Sequence, residues 1–555
     1  MILKNGYHMN ARVTSGRRIG ALLGGAAALS LIVVGCASPG TGGGDDGGAA
    51  SGGALTIGTT DKVTVIDPAG SYDNASFGVM NQVFPFLMNS KYGSPDVEPD
   101  IAESAEFTAP TEYTVKLKAG LKFANGNELT ASDVKHSFDR MVAIKDPSGP
   151  SSLLYNLDSV ATPDDLTVVF TLKTENDQLF PQILSSPVGP IVDEDVFPAD
   201  KVLGNAELVK ARPFAGQYTL ESFDLNKLAS FKKNPDYQGV LGAAKNDQVN
   251  VKTYADASNL KLDIQKNAID VAWRSLSATD IDDLKGNDKV KVVEGVGGEI
   301  RYITFNFDTQ PYGAKAEGAD AGKALAVRQA VADLIDREAI AKDVYKDTYT
   351  PLYSFVAKGM TGAVEPMKEL YGNGSGGADA AKAKERLEKA GVEVPVQLNL
   401  QYSNDHYGPS SGDEYALIKD QLEKDGLFSV DLQTTEWVQY AKDFPADGYP
   451  AYQLGWFPDY SDADNYLTPF FLKENFLGNH YDNAEVNDLI LSQATTTDPA
   501  ERTKKIEQIQ ELVAKDLSTV PYLQGSQVAI TGTDVTGTED TLDPSFKFRY
   551  GALSK

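Results

Sequence analysis

Cysteine occurs once in 555 residues, at Cys36. That excludes an intramolecular disulfide and a cysteine-based zinc cluster. Histidine is nearly as scarce. His8, His136, His406 and His480 include no pair at the i, i+4 spacing of a helical metal site, so no metal is expected. HExxH, GxxxxGKS/T and GxSxG are missing, and with them the commonest signatures of zinc hydrolases, P-loop NTPases and α/β-hydrolases. Positive charge is in deficit: 51 basic residues face 78 acidic ones, a formal net charge of −27. Such a surface repels phosphate backbones, which argues against nucleic acid as a partner, and it suits solubility near an anionic surface. Long apolar runs are absent but for residues 19–34, and these fall short of the roughly 20 residues that a spanning helix needs. What remains, 41% hydrophobic and 23% charged, is the composition of a globular protein too long for a single core.

The apolar run follows Arg17-Arg18 and ends in Val33-Val34-Gly35-Cys36. A basic start and a short apolar stretch read as an export signal. The four-residue ending resembles the bacterial lipobox, which implies diacylglycerol on the Cys36 thiol and cleavage just before it. Residues 1–35 are then a signal peptide, and Cys36 is the membrane attachment. Arg17-Arg18 resembles a twin-arginine signal in those two residues only. Residues 36–53, rich in Gly and Ser with Asp45 and Asp46, read as a flexible tether. A single-pass anchor is the alternative for this segment. Either way the acidic body lies outside a membrane.

Helical and strand signals mix along that body, which predicts an α/β fold. Thr130 with Asp133 predicts a helix start, followed by Val134, Phe138 and Met141 on one face. Val327, Ala330, Val331, Leu334 and Ile335 predict a second helix. Ala380–Ala390 is a third, stopped by Gly391, and Asp498-Pro499 opens a fourth. Alternation predicts strands over 113–118, 166–172 and 302–307. His136 reads as solvated. The stretch Gly455-Trp456-Phe457-Pro458-Asp459-Tyr460-Ser461-Asp462 stands out, because it sets two large aromatics beside carboxylates in a segment broken by Gly and Pro.

Seven short blocks resemble, in order, the extracellular solute-binding proteins of family 5, the peptide- and nickel-binding components of ABC importers. They are residues 55–68, 83–87, 98–104, 115–134, Asn234-Pro235-Asp236-Tyr237, Val327-Arg328-Gln329-Ala330 with Ile335-Asp336-Arg337-Glu338-Ala339-Ile340, and Gly455-Trp456 with Asp459-Tyr460; residues 483–489 add a further match. The chain departs from the family at 213–218, where relatives have GTGPY, and at Leu117-Lys118, where they have LR. The resemblance implies an α/β, two-lobed clamshell like the type II periplasmic binding proteins, with an extra subdomain inserted in the first lobe. Lobe I would comprise 54–88, 206–300 and 518–555, the inserted subdomain 89–205, and lobe II 301–517. It implies no catalysis and no cofactor. The expected partners are a peptide or other small-molecule ligand and an ABC permease in the membrane, and the protein is expected to be a monomer.

The resemblance also implies a site. The Asp of the GW-x-x-D block pairs with a peptide's α-ammonium, a role that falls here on Asp459. Trp456 and Phe457 would be apolar walls, Gly455 would shape the turn, and Tyr460 and Asn306 would line the cleft. As large aromatics, Trp273 and, more weakly, Trp437 are further cleft candidates, with a place in the core as the other reading of each. Two other readings of Asp459 stay open: a turn-shaping residue bonded to nearby backbone N–H groups, or one of a calcium-binding set with Asp462 and Asp464. Arg328 and Asp336 read as structural. Dipeptide-binding relatives clamp the ligand carboxylate with an Arg where this chain has Asp405 or His406, and no Arg occurs between Arg386 and Arg502. That predicts a preference for longer peptides, or for a cargo without a carboxylate there. A sugar, opine or metal chelate on the same scaffold, a surface sensor or adhesin, and an extracellular hydrolase are the alternative functions.

Overall fold

A computed structural model describes residues 54–555, apart from Pro409 and Phe546. The expectations for residues 1–35, for 36–53 and for Cys36 lie outside the described residues. Two long antiparallel strands, Val290–Phe305 and Thr519–Gly532, form the centre of an 11-stranded sheet. Their Val, Ile and Thr residues suit a pleated, buried surface. At one end Val271–Trp273 pairs with Ala529–Thr531, and beyond it lie Leu55–Thr59, Gln248–Thr253, Leu228–Lys233 and Tyr218–Asp224. At the other end Ala451–Trp456 pairs with Ile300–Phe305, followed by Val396–Ser403 and Phe428–Thr435. The long strands thus cross between two lobes. At about 3.3 Å per residue the longer one reaches roughly 50 Å.

The crossing carries a bulge, a register shift between Val296 and Ile300. Gly297 and Gly298 sit there because no side chain fits. A Cβ on Gly297 would lie 2.2 Å from the Gly525 carbonyl oxygen. One on Gly298 would lie 2.7 Å from Pro458 Cγ and 2.7 Å from the Pro544 carbonyl oxygen. Bulges bend and twist a ladder locally, and this one aims the strands past the Pro458 loop.

A separate four-stranded sheet runs in the order Ala102–Ala109, Glu112–Leu117, Thr167–Leu172, Leu157–Asp164. The helix Ala131–Ile144 covers it, capped by Thr130 and Asp133 as the sequence predicts. Other expected helices appear at Ala321–Leu334, Ala380–Ala390 and Pro499–Asp516, the second ending at Gly391 with φ +68°. His136 is not simply solvated, because its Nε2 lies 2.7 Å from the Phe197 carbonyl oxygen. Arg328 and Asp336 are structural: Arg328 donates to the Asp516 carbonyl, and Asp336 caps the helix that follows it. Among the described residues no helix is long and apolar enough to cross a membrane.

Candidate ligand site between the lobes

The strand Ala451–Trp456 delivers Trp456 opposite Ile300, at the end of its ladder nearest the bulge. Gly455 is needed there, since a Cβ would come within 2.9 Å of the Tyr407 ring. Beyond Trp456 the chain leaves the sheet, and Asn465 holds the loop. Its Oδ1 accepts from the Asp459 N–H at 2.9 Å and from the Trp456 indole N–H at 3.0 Å. Asn465 is buried, and sequence patterning did not single it out.

Asp459 is partly buried. Its Oδ1 accepts from the Tyr72 hydroxyl at 2.5 Å, a residue of the opposite lobe, and its Oδ2 from the Asn465 amide at 3.4 Å. Both donors are neutral. Burial pushes the carboxyl up to about 6, against the pull of these two bonds. The backbone N–H groups of the loop do not shape the turn through this carboxylate; Asn465 does that work.

Phe457 faces the other lobe, with the Arg274 guanidinium carbon 5.9 Å from its ring centroid. The same guanidinium lies 5.6 Å from the Trp273 ring and 3.5 Å from Asp61. Trp273 is 9% exposed and stacks on Phe548 at 4.7 Å, so it backs the site through Arg274. A cavity of about 210 Å³ opens beside this group. Arg274 and Ser277 line it from one lobe, Tyr345 and Tyr407 from the other, and Glu299 and Gln527 along the crossing strands.

Several expectations are corrected. Asn306 is fully buried and caps the turn after its strand, accepting from the Asp308 and Thr309 N–H groups and donating to Asp447. It lies six residues beyond Ile300, roughly 20 Å along the strand, at the wrong end of the ladder for the cleft. Tyr460 is 9% exposed and belongs to the core of the four-stranded subdomain. Trp456 is half-walled by its own lobe, edge-on to Phe470 at 5.0 Å. The calcium set is not assembled: Asp462 is gripped by both Arg502 Nη atoms at 2.7 and 2.8 Å, and Asp464 is buried among Thr468, Gln493 and Tyr460. That also removes Asp462 as the second carboxylate of a hydrolase.

The segment around Asp405 and His406 is not without a cation. Asp405 accepts the Trp437 N–H at 2.8 Å, and His406 stacks on Trp437 at 3.6 Å. Burial and the nearby Arg301 hold His406 down to about 4, so it is neutral at pH 7. Arg301 arrives from the crossing strand, donating to the Tyr407 carbonyl at 2.7 Å and pairing with Glu299 at 2.7 Å. Arg301 lies 106 positions from Tyr407 in the chain and is its neighbour only in the folded sheet.

Comparison with known proteins gives a consistent pattern. Residues 96–478 match the family model of bacterial extracellular solute-binding proteins, family 5, middle region. The chain is 26% identical over 495 residues to the probable D,D-dipeptide-binding periplasmic protein DdpA of Escherichia coli K12, covering 87% of this chain and 90% of that one. Among solved structures it resembles the ABC transporter substrate-binding protein CtaP of Listeria monocytogenes, with TM-score 0.73, 23% identity, and 91% and 99% of the two chains covered. It also resembles the periplasmic binding protein DppA of Helicobacter pylori in complex with the peptide STSA, with TM-score 0.69, 20% identity, and 91% and 98% covered.

Proposed function

The chain belongs to the bacterial extracellular solute-binding proteins of family 5, and from that premise we propose that it captures a peptide outside the cell and delivers it to the permease of an ABC importer. It acts as a monomer held at the membrane by lipid on Cys36. The lobes are the segments 54–88, 206–300 and 518–555 on one side and 301–517 on the other, with 89–205 as the inserted subdomain. The observation that carries this reading is Asp459, a carboxylate in the gap between the lobes, desolvated and met by neutral donors alone. An ionised carboxylate in that setting is costly, and a cation entering the gap relieves the cost. A peptide's α-ammonium is such a cation. Its pairing gains more inside a closing cleft than at a surface, because water is expelled. Gly455 and Asn465 set the loop, and Phe457 supplies apolar surface. The dipeptide and peptide names of the relatives support the same cargo class. No chemistry on the ligand is proposed.

The test is denaturing extraction of the purified mature protein, followed by mass spectrometry of what it carried. Peptides are expected. A sugar or metal chelate, recovered in proportion to protein, would replace the peptide reading with another cargo on the same scaffold.

A further inference from the structure

Among the described residues, the buried members of the apolar cluster beneath the four-stranded sheet all lie between Ala69 and Ala215, except Tyr460. Tyr460 enters that cluster from lobe II. Half-buried Ala494, which ends the helix Ala484–Gln493, packs on the same cluster from the same side. Beside it the Gln178 N–H of the subdomain donates to the Ala494 carbonyl at 2.8 Å. The two intruding residues are tied together within lobe II. Asp464 accepts from the Tyr460 hydroxyl at 3.4 Å, from the Thr468 hydroxyl at 2.6 Å and from the amide of Gln493, the residue before Ala494. Gln493 Oε1 in turn accepts from Arg502 Nε at 3.1 Å, and Arg502 grips Asp462. Loop and helix end therefore meet the subdomain as one braced piece. The subdomain side is braced too. Buried Asp177, just before Gln178, accepts from the Asn156 amide at 2.5 Å and from the Leu179 N–H at 2.9 Å.

We infer that Tyr460 is a positioning residue that latches the inserted subdomain onto lobe II, so that this seam governs how long a bound peptide is kept. This rests on the peptide reading and on the lobes given with it, and extends both. Asp459 and Tyr460 are consecutive, and their side chains part: one meets Tyr72 in the gap between the lobes, the other is sunk in the subdomain. Parting the seam returns the Tyr460 ring to water and breaks the Gln178–Ala494 bond, both of which oppose opening. Coupling between two events is reciprocal. A ligand that holds Asp459 in place keeps Tyr460 seated, and a seated Tyr460 slows the ligand's departure.

The test uses mature protein carrying Cys36→Ser, which removes the single native thiol. The protein is loaded from a deuterated library of free-amine peptides of two to six residues and chased with the unlabelled library, and retained heavy peptide is followed by native mass spectrometry. Tyr460→Ala should lose peptide tenfold faster or more, with uptake within about threefold of wild type. Tyr460→Phe, which keeps the ring, should retain peptide as wild type does. A second arm does not depend on the alanine variant folding. Gln178→Cys with Ala494→Cys sets two thiols one backbone hydrogen bond apart, which fits the roughly 4.4–6.8 Å between the Cα atoms of a disulfide. Oxidised after loading, this protein should keep its peptide through the chase; reduced, it should exchange as wild type does. The inference is overturned if the oxidised and reduced forms exchange alike, since the seam then never parts, or if Tyr460→Ala folds and releases peptide at the wild-type rate. Capture of no library peptide by wild type would instead remove the peptide reading, and this inference with it.

Discussion

Asp459 concentrates the electrostatic argument in one carboxyl group. Its folded value of about 6 lies above the ordinary unfolded value of about 3.9. A carboxyl raised by folding contributes stability that is full below the unfolded value and is lost as pH rises through the folded one. The ligand-free protein should therefore lose on the order of 1–3 kcal/mol between about pH 4 and 6, and calorimetric melting of Asp459→Asn should lack that part of the slope. At pH 7 the variant should melt no lower than wild type, yet bind its peptide more weakly by on the order of 2–5 kcal/mol. Titration calorimetry in two buffers near pH 6 should also show proton release on binding, because the ammonium needs the ionised form. Unchanged affinity in Asp459→Asn would end the assignment. Asn465→Ala provides the contrast. It orphans the Asp459 N–H and the Trp456 indole N–H, so a stability loss of about 1–3 kcal/mol is expected even without ligand.

At the scale of elements, the crossing strands decide where the Pro458 loop can go. A Cβ on Gly298 would meet Pro458 on the loop and Pro544 on the C-terminal segment, and the Tyr466 hydroxyl donates to its carbonyl at 2.6 Å. Gly298→Ala drives a methyl group into proline and backbone. The expected cost is about 1–3 kcal/mol, seen as a lower melting temperature, with weaker peptide binding because Pro458 sits next to Asp459. A variant with wild-type melting and affinity would show that the loop is not seated on this bulge. The fourth expected helix is secured differently. Arg502, half-buried in Pro499–Asp516, grips the buried Asp462, which fastens the far end of the same loop.

For the whole molecule, the reading requires a body tethered outside a membrane. With no other thiol in the chain, Cys36→Ser should abolish incorporation of labelled lipid and shift the protein from the membrane fraction to the soluble one. Labelling and membrane association that survive the substitution would exclude lipid anchoring at this residue.

Local periodicity and caps determined the helices at Ala131–Ile144 and Ala380–Ala390, because helix starts, stops and apolar stripes are short-range signals. The blocks around Asn234, Val327 and Gly455 carried the family in the same way, as contiguous residues. The site was legible only where it is contiguous, in the stretch from Gly455 to Asp459. Tyr72 reaches Asp459 across 387 positions, and Arg301 reaches Tyr407 across 106, separations no window of sequence can join. The resemblance puts Asn306 in the cleft, but six residues along a strand carry it away from there. Tyr460 looked like a cleft aromatic and became core of a subdomain built from residues hundreds of positions earlier. Charge and apolar pattern are written residue by residue, whereas which lobe faces which is set by two crossing strands and a bulge, and only the folded chain brings Asp459, Phe457 and Arg274 to one gap.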